Sequence, residues 1–264
     1  MAMAELEAVI ELVRKAGAAI LAVYESDFDV EHKDDRSPLT AADRAAHHIL
    51  VEGLSRLPSG LPVLSEESAA IPWAERQRWS RYWLVDPLDG TREFVKRNGE
   101  FTVNVALIDG HSPVLGVVYA PVLDYMAYAT QGAGAFVAAG GQPATRVNST
   151  RPAPAPLRVC ASRSHLDART EALLGRLGPH EKLGLGSSLK FCRLAEGRAD
   201  LYPRFGPTSE WDTAAAQCVL EEAGGAVIDC DGRAFRYNTK DSLLNGDFLA
   251  LGDPQLPWRD WLHD

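Results

Sequence analysis

Apolar residues recur at helical spacing over residues 5–24 and again over 40–57, which predicts two amphipathic helices at the start of the chain, the second capped by Thr40. Val30-Glu31-His32-Lys33 reads as a short strand between them. Beyond residue 60 the pattern shortens. Tyr82-Trp83-Leu84-Val85 predicts a buried strand, and residues 102–108, 114–119 and 125–129 follow as strand-like runs of an antiparallel meander with helices over one face. The glycines and prolines of 139–156 suggest a boundary. After it, strands near 158–161, 199–202 and 226–228 alternate with helical segments such as 213–222. The expected class is α/β, with an α+β half over residues 1–150 and an α/β half over 151–264. Residues 231–246 show only a generic strand and loop.

A content of 46% hydrophobic and 24% charged residues over 264 positions is that of a folded globular protein, large enough for two intimately packed domains. The net charge of −9 and the lack of a basic cluster exclude a groove for nucleic-acid polymers. An acidic protein acting on an anionic substrate needs local compensation, and divalent cations held by carboxylates supply it directly. Cys160, Cys192, Cys218 and Cys230 have neither zinc spacing nor close pairing and read as buried free thiols. No signal-peptide pattern and no spanning apolar run is evident, so a cytoplasmic protein without a transmembrane segment is expected.

The chemistry concentrates in Asp86-Pro87-Leu88-Asp89-Gly90-Thr91. Residues three apart on an extended segment point to opposite faces, so this hexapeptide must turn to bring both aspartates together. Gly90 permits the turn, and a helical turn beginning near Thr91 would direct free amides at the same corner. The Leu88 carbonyl would be available there as a further oxygen ligand. An ordinary strand-to-helix turn with Asp89 as cap is the competing account. Glu66 or Glu67 could reach the corner from a strand end, and Asp212 either caps a helix or joins them. Hard oxygen ligands without His or Cys point to magnesium or manganese and to two-metal phosphoryl transfer. Uncatalysed phosphomonoester hydrolysis demands up to ~10²¹-fold acceleration, most of it electrostatic once orientation has contributed its share.

An ordered set of stretches resembles the inositol monophosphatase superfamily, and especially its adenosine 3',5'-bisphosphate nucleotidases. These are Ser37-Pro38-Leu39-Thr40-Ala41-Ala42-Asp43, Val63-Leu64-Ser65-Glu66-Glu67, residues 82–108, Ser162-Arg163-Ser164-His165, Gly186-Ser187-Ser188-Leu189-Lys190-Phe191-Cys192, residues 201–208 and Trp211-Asp212-Thr213-Ala214-Ala215. The resemblance implies an αβαβα layered sandwich. It also implies two or more magnesium ions, replaceable by manganese, on Glu66, Asp86, Asp89, Asp212 and the Leu88 carbonyl, and selects Glu66 over Glu67. Gly90 and Thr91 would hold the scissile phosphate, Glu66 would serve catalysis, and Thr91 paired with Asp43 would activate the attacking water. Unaided by the resemblance, Asp43 reads as a helix-capping residue. His165, Ser187, Lys190 and Arg204 match residues that contact the second phosphate or the nucleotide, with Glu66, Leu88, Asp89 and Asp212 also at the substrate, and Lys33 matches a lysine near the catalytic loop. The implied reaction removes the 3'-phosphate from adenosine 3',5'-bisphosphate to give AMP, and extends to 3'-phosphoadenylyl sulfate. Lithium inhibition, removal of a toxic by-product of sulfate assimilation and peripheral association with the inner face of the cell membrane go with it. The alternatives are an inositol or sugar monophosphatase on the same scaffold and a non-catalytic nucleotide- or cation-binding protein.

Overall fold

Two helices, α1 (Ala2–Tyr24) and α2 (Pro38–Ser55), pack side by side in the computed structural model, which describes residues 2–26, 38–161 and 167–262. The expected strand at 30–33 lies outside the described residues. Thr40, expected to cap α2, instead stands inside it, because Pro38 and Leu39 are already part of the helix. Asp43, read from the sequence as a helix-capping residue, thereby lies in the interior of the helix.

Under these helices lies a seven-stranded sheet in chain order, β1 (Val63–Ser65), β2 (Arg81–Asp89), β3 (Thr102–Asp109), β4 (Ser112–Ala120), β5 (Tyr125–Thr130), β6 (Gly134–Ala139) and β7 (Thr145–Val147). The β1–β2 pair is parallel and the rest is the expected antiparallel meander, which β6 and β7 extend. The second sheet contains β8 (Leu157–Ala161), β9 (His180–Gly184), β10 (Leu201–Arg204), β11 (Ala226–Asp229) and β12 (Phe248–Leu251) in the order β11-β12-β10-β8-β9. Residues 231–246, read as strand and loop, hold no named strand; they form loop with isolated bridges at Leu244 and Ala234.

Strand alternation sorts the apolar residues into layers. Trp83 and Val85 of β2 with Val103, Val105 and Leu107 of β3 face α1 and α2, where Val9, Val13, Ile20, Leu50 and Leu54 meet them. Tyr82, Leu84, Ala106 and Ile108 face the other way, onto α6 (Leu189–Ala195), α7 (Glu210–Glu222) and the inner face of the second sheet through Cys160, Tyr202 and Phe248. The outer face of that sheet, with Val159, Leu201 and Leu249, is covered by α5 (Ala168–Leu177) and α8 (Trp258–Leu262) through Leu173, Leu174, Trp258 and Trp261. The result is the expected αβαβα sandwich. Cys160, Cys192 and Cys218 are buried free thiols as anticipated, whereas Cys230 is half-buried. Among the described residues no helix is long and apolar enough to cross a membrane.

One irregularity decides where the acidic side chains go. β2 does not end at Val85 but continues to Asp89, and its register against β3 pairs Asp86 with Asn104 and Asp89 with Thr102. Three steps on β2 thus match two on β3, which is a β-bulge. Parity switches across it. Leu88 packs with Val85 on the α1/α2 side, and Asp86 and Asp89 come to share the side of Tyr82 and Leu84, facing α7. The expectation of a turn is corrected: an extra residue in the ladder, not a reversal of the chain, brings the two aspartates together.

Contact between α7 and the first sheet is close because Gly116 of β4 has no side chain. A Cβ there would lie 2.2 Å from the Ala215 carbonyl oxygen. Gly116→Ala is therefore expected to destabilise the fold by about 1–3 kcal/mol, the usual cost of overpacking, read as a lower urea midpoint at unchanged slope.

Candidate active site

The bulge in β2 and the first turn of α7 bring Asp86, Asp89 and Asp212 together, with one carboxylate oxygen from each lying within 4.8 Å of the others. Neutral donors hold each carboxylate by one oxygen. The Leu88 N–H donates to Asp86 Oδ1 at 3.0 Å. Asp89 Oδ2 receives the Ser188 N–H at 2.7 Å and lies 3.0 Å from the Ser188 hydroxyl, with Thr102 Oγ1 and Asn104 Nδ2 more distant at 3.4 and 3.5 Å. Asp212 Oδ2 accepts the Ser209 N–H at 2.9 Å in a reciprocal capping box, so its capping role and its place in the acidic cluster coexist. Pro87 and Leu88 have no register partner on β3.

Burial and mutual repulsion make this cluster costly without a cation. Asp86 is 1% exposed, and desolvation, followed by the charges of Asp89, Glu66, Asp212 and Asp43, pushes its carboxyl well above the usual range. Desolvation and Asp89 push Asp212 up to about 7. Glu66, on the turn after β1, has an exposed side chain yet is raised by the protein mass around it, an effect opposed by its hydrogen bond with Asp86. Among the described residues none of these carboxylates forms an ion pair with Lys or Arg, and only the Arg204 charge lowers Asp212 from a distance. Hard oxygens, each aspartate anchored through one oxygen by a neutral donor and with no cationic side chain among them, fit a magnesium-type ion.

Around this wall stand the other expected residues. Gly90 adopts φ 93°, which favours glycine, and caps α4 (Thr91–Val95), whose first residue, Thr91, is exposed. A Cβ at Gly90 would meet Glu93, Phe101 and Ser187 at 3.3 Å, so the loop at 186–188 lies directly against this turn. That loop is pinned by Gly186 N–H on Glu100 Oε2 at 2.8 Å. Lys190 is nearly buried; its ammonium donates to the Ser187 carbonyl at 2.9 Å and lies 5.2 Å from the Tyr202 ring centre. Arg204 donates to the Gly206 and Pro207 carbonyls at 3.2 and 2.9 Å. His165 and Lys33 lie outside the described residues.

Asp43 is 9% exposed and hydrogen-bonds Glu67; burial, Glu67 and Glu66 push it up to about 8. Among the described residues no hydrogen bond joins it to Thr91, and its Oδ1 has no partner. Three further residues of the site were not anticipated from the sequence: Thr102, Asn104 and Ser188, which surround Asp89. Thr102 and Asn104 had a readable signal, since they alternate with Val103 and Val105 at positions that the strand buries.

A model of the inositol monophosphatase family matches residues 3–253. The chain belongs to the inositol monophosphatase family. Its relatives include the 3'(2'),5'-bisphosphate nucleotidase CysQ of Salmonella typhimurium, 52% identical over 245 residues that span 92% of this chain and 98% of that protein. The protein of the same name from Escherichia coli K12 is 51% identical over the same shares. The crystal structure of CysQ from Bacteroides thetaiotaomicron, itself described as a bacterial member of the inositol monophosphatase family, matches with a TM-score of 0.86 at 42% identity, covering 94% of this chain and 97% of that one. An inositol monophosphatase from Zymomonas mobilis shares the fold at a TM-score of 0.80 and 22% identity.

The raised carboxyls of this inositol monophosphatase family member have a consequence for stability. Asp212 and Asp43 rise from 3.8 to about 7 and about 8 in the fold, so between those limits the folded chain binds more protons than the unfolded one. Their stabilisation is complete below about pH 4 and is lost as pH rises through the folded values. In a chelator, Tm should fall steadily from about pH 5 to 8, and saturating magnesium should flatten that slope. A chelated protein whose Tm rises with pH over this window would contradict the electrostatic account.

Proposed function

We propose that the protein is a magnesium-dependent phosphatase that removes the 3'-phosphate of adenosine 3',5'-bisphosphate to give AMP and phosphate, and that it also accepts 3'-phosphoadenylyl sulfate. The observation that carries this reading is the cluster of Asp86, Asp89 and Asp212, an uncompensated acidic wall beside the Gly90-Thr91 turn. The choice of substrate is supported by relatives at 51–52% identity over nearly their whole length, which are named bisphosphate nucleotidases.

In this reading Asp86, Asp89, Asp212, Glu66 and the Leu88 carbonyl hold the ions. Bound magnesium supplies Lewis-acid polarisation of the phosphoryl group and a nucleophilic water at neutral pH. The remaining work falls to the chain. Gly90 and Thr91 orient the scissile phosphate through amide and hydroxyl groups. Thr91 relays the proton of the attacking water to Asp43, which can accept it only once Asp43, held protonated by burial and by its bond to Glu67, has ionised. Ser187, Lys190, Arg204 and His165 bind the second phosphate or the nucleoside, and the enzyme works in the cytoplasm on a small-molecule substrate.

Phosphate release with and without magnesium tests the proposal. Adenosine 3',5'-bisphosphate should be hydrolysed much faster than an inositol monophosphate, and chelation should abolish both rates. Asp89→Asn should lower turnover by at least about a hundredfold, beyond what loss of an outer-shell partner costs, while the far-UV spectrum stays unchanged. Preference for the inositol ester, or metal-independent release, would overturn the assignment.

A further inference from the structure

Asp89 and Asp212 come from opposite halves of the chain, one on a strand of the first sheet and the other on the helix between the sheets. Their negative charges repel each other. Among the described residues, Ser188 is the only side chain hydrogen-bonded to both. It is 1% exposed and opens α6. Its N–H donates to Asp89 Oδ2 at 2.7 Å, and its hydroxyl lies 3.0 Å from the same oxygen and 2.7 Å from the Asp212 carbonyl oxygen. The hydroxyl in turn accepts the Asn104 amide at 2.9 Å. A hydroxyl has one proton to give, so here it is divided between two acceptors while its own lone pair is fixed by Asn104. The tie is neutral: it holds the Asp89 carboxylate to the backbone of Asp212, whose own carboxylate is fixed by the Ser209 N–H, without occupying the charge that a cation would use.

We propose that Ser188 is a positioning residue that sets the spacing of Asp89 and Asp212 and, through it, the affinity for divalent cation; this rests on the metal-dependent reading of the site. The backbone N–H keeps one bond to Asp89 in any variant, so the hydroxyl contribution is separable from the loop's own anchorage.

Manganese titration of the metal-stripped, substrate-free protein, followed by the paramagnetic signal of free Mn²⁺, reads the effect independently of turnover. Ser188→Ala should raise the Kd by about ten- to a hundredfold, the usual cost of losing an outer-shell partner, and raising magnesium should restore most of the lost phosphatase rate. Thr150→Ala is the control. It removes a hydroxyl bonded at 3.0 Å to the Gly197 carbonyl, outside the site, and should lower Tm with no change in manganese affinity. If circular dichroism finds Ser188→Ala unfolded, Ser188→Cys, which fills the space with a weak donor, is judged by the same shift in Kd. Wild-type affinity in the folded Ser188 variant would overturn the positioning role alone. A wild-type protein that binds no manganese would overturn it together with the metal-dependent reading.

Discussion

A strand turns its side chains over at every residue, and two aspartates spaced by an odd number of steps cannot look the same way along a regular ladder. The site of this protein depends on how that constraint is met. Between Asp86 and Asp89 the ladder with β3 takes in one extra residue, so Leu88 goes to the helical layer while both carboxylates look into the middle of the molecule. Pro87 suits this position because it has no N–H to offer a ladder that is interrupted there. Without the bulge, Asp89 would face the α1/α2 side, among the apolar residues that surround Leu88.

Placing carboxylates together at a partly buried site raises an electrostatic cost that the chain meets with neutral groups. Amides from Leu88, Ser188 and Ser209 and the hydroxyl of Ser188 fix the direction of each carboxylate without neutralising it. Arginine or lysine in the same places would relieve the repulsion and also occupy the oxygens that a divalent ion needs. The positive side chains near the site, Lys190 and Arg204, are instead hydrogen-bonded to backbone carbonyls.

Much of this was readable in the sequence. The meander, the helices and the α/β class follow from periodicity, whereas the layered sandwich comes from the family resemblance, which also helps motif spacing to pick out the acidic side chains. Other features were hidden for identifiable reasons. The spacing of Asp86 and Asp89 signals that something irregular must occur, yet a turn and a bulge both satisfy it, and only pairing with β3 decides. Thr40 looks like a cap because capping preferences are local, whereas the helix already includes Pro38 and Leu39 before it. β9 is polar and half exposed at a sheet edge, and β12 is a four-residue apolar run too short to separate from a loop residue cluster. The partnership of Ser188 with both aspartates joins segments far apart in the chain, and no local pattern encodes it.

Helix α7 has the first sheet on one side and the second on the other, and its alanines Ala214, Ala215 and Ala216 are all buried. Such an element has no free flank along which to slide or tilt. The carboxylate at its amino end is therefore a fixed reference point of the molecule, against which the loop through Gly186 and Ser187, seated on the Gly90 turn, is laid.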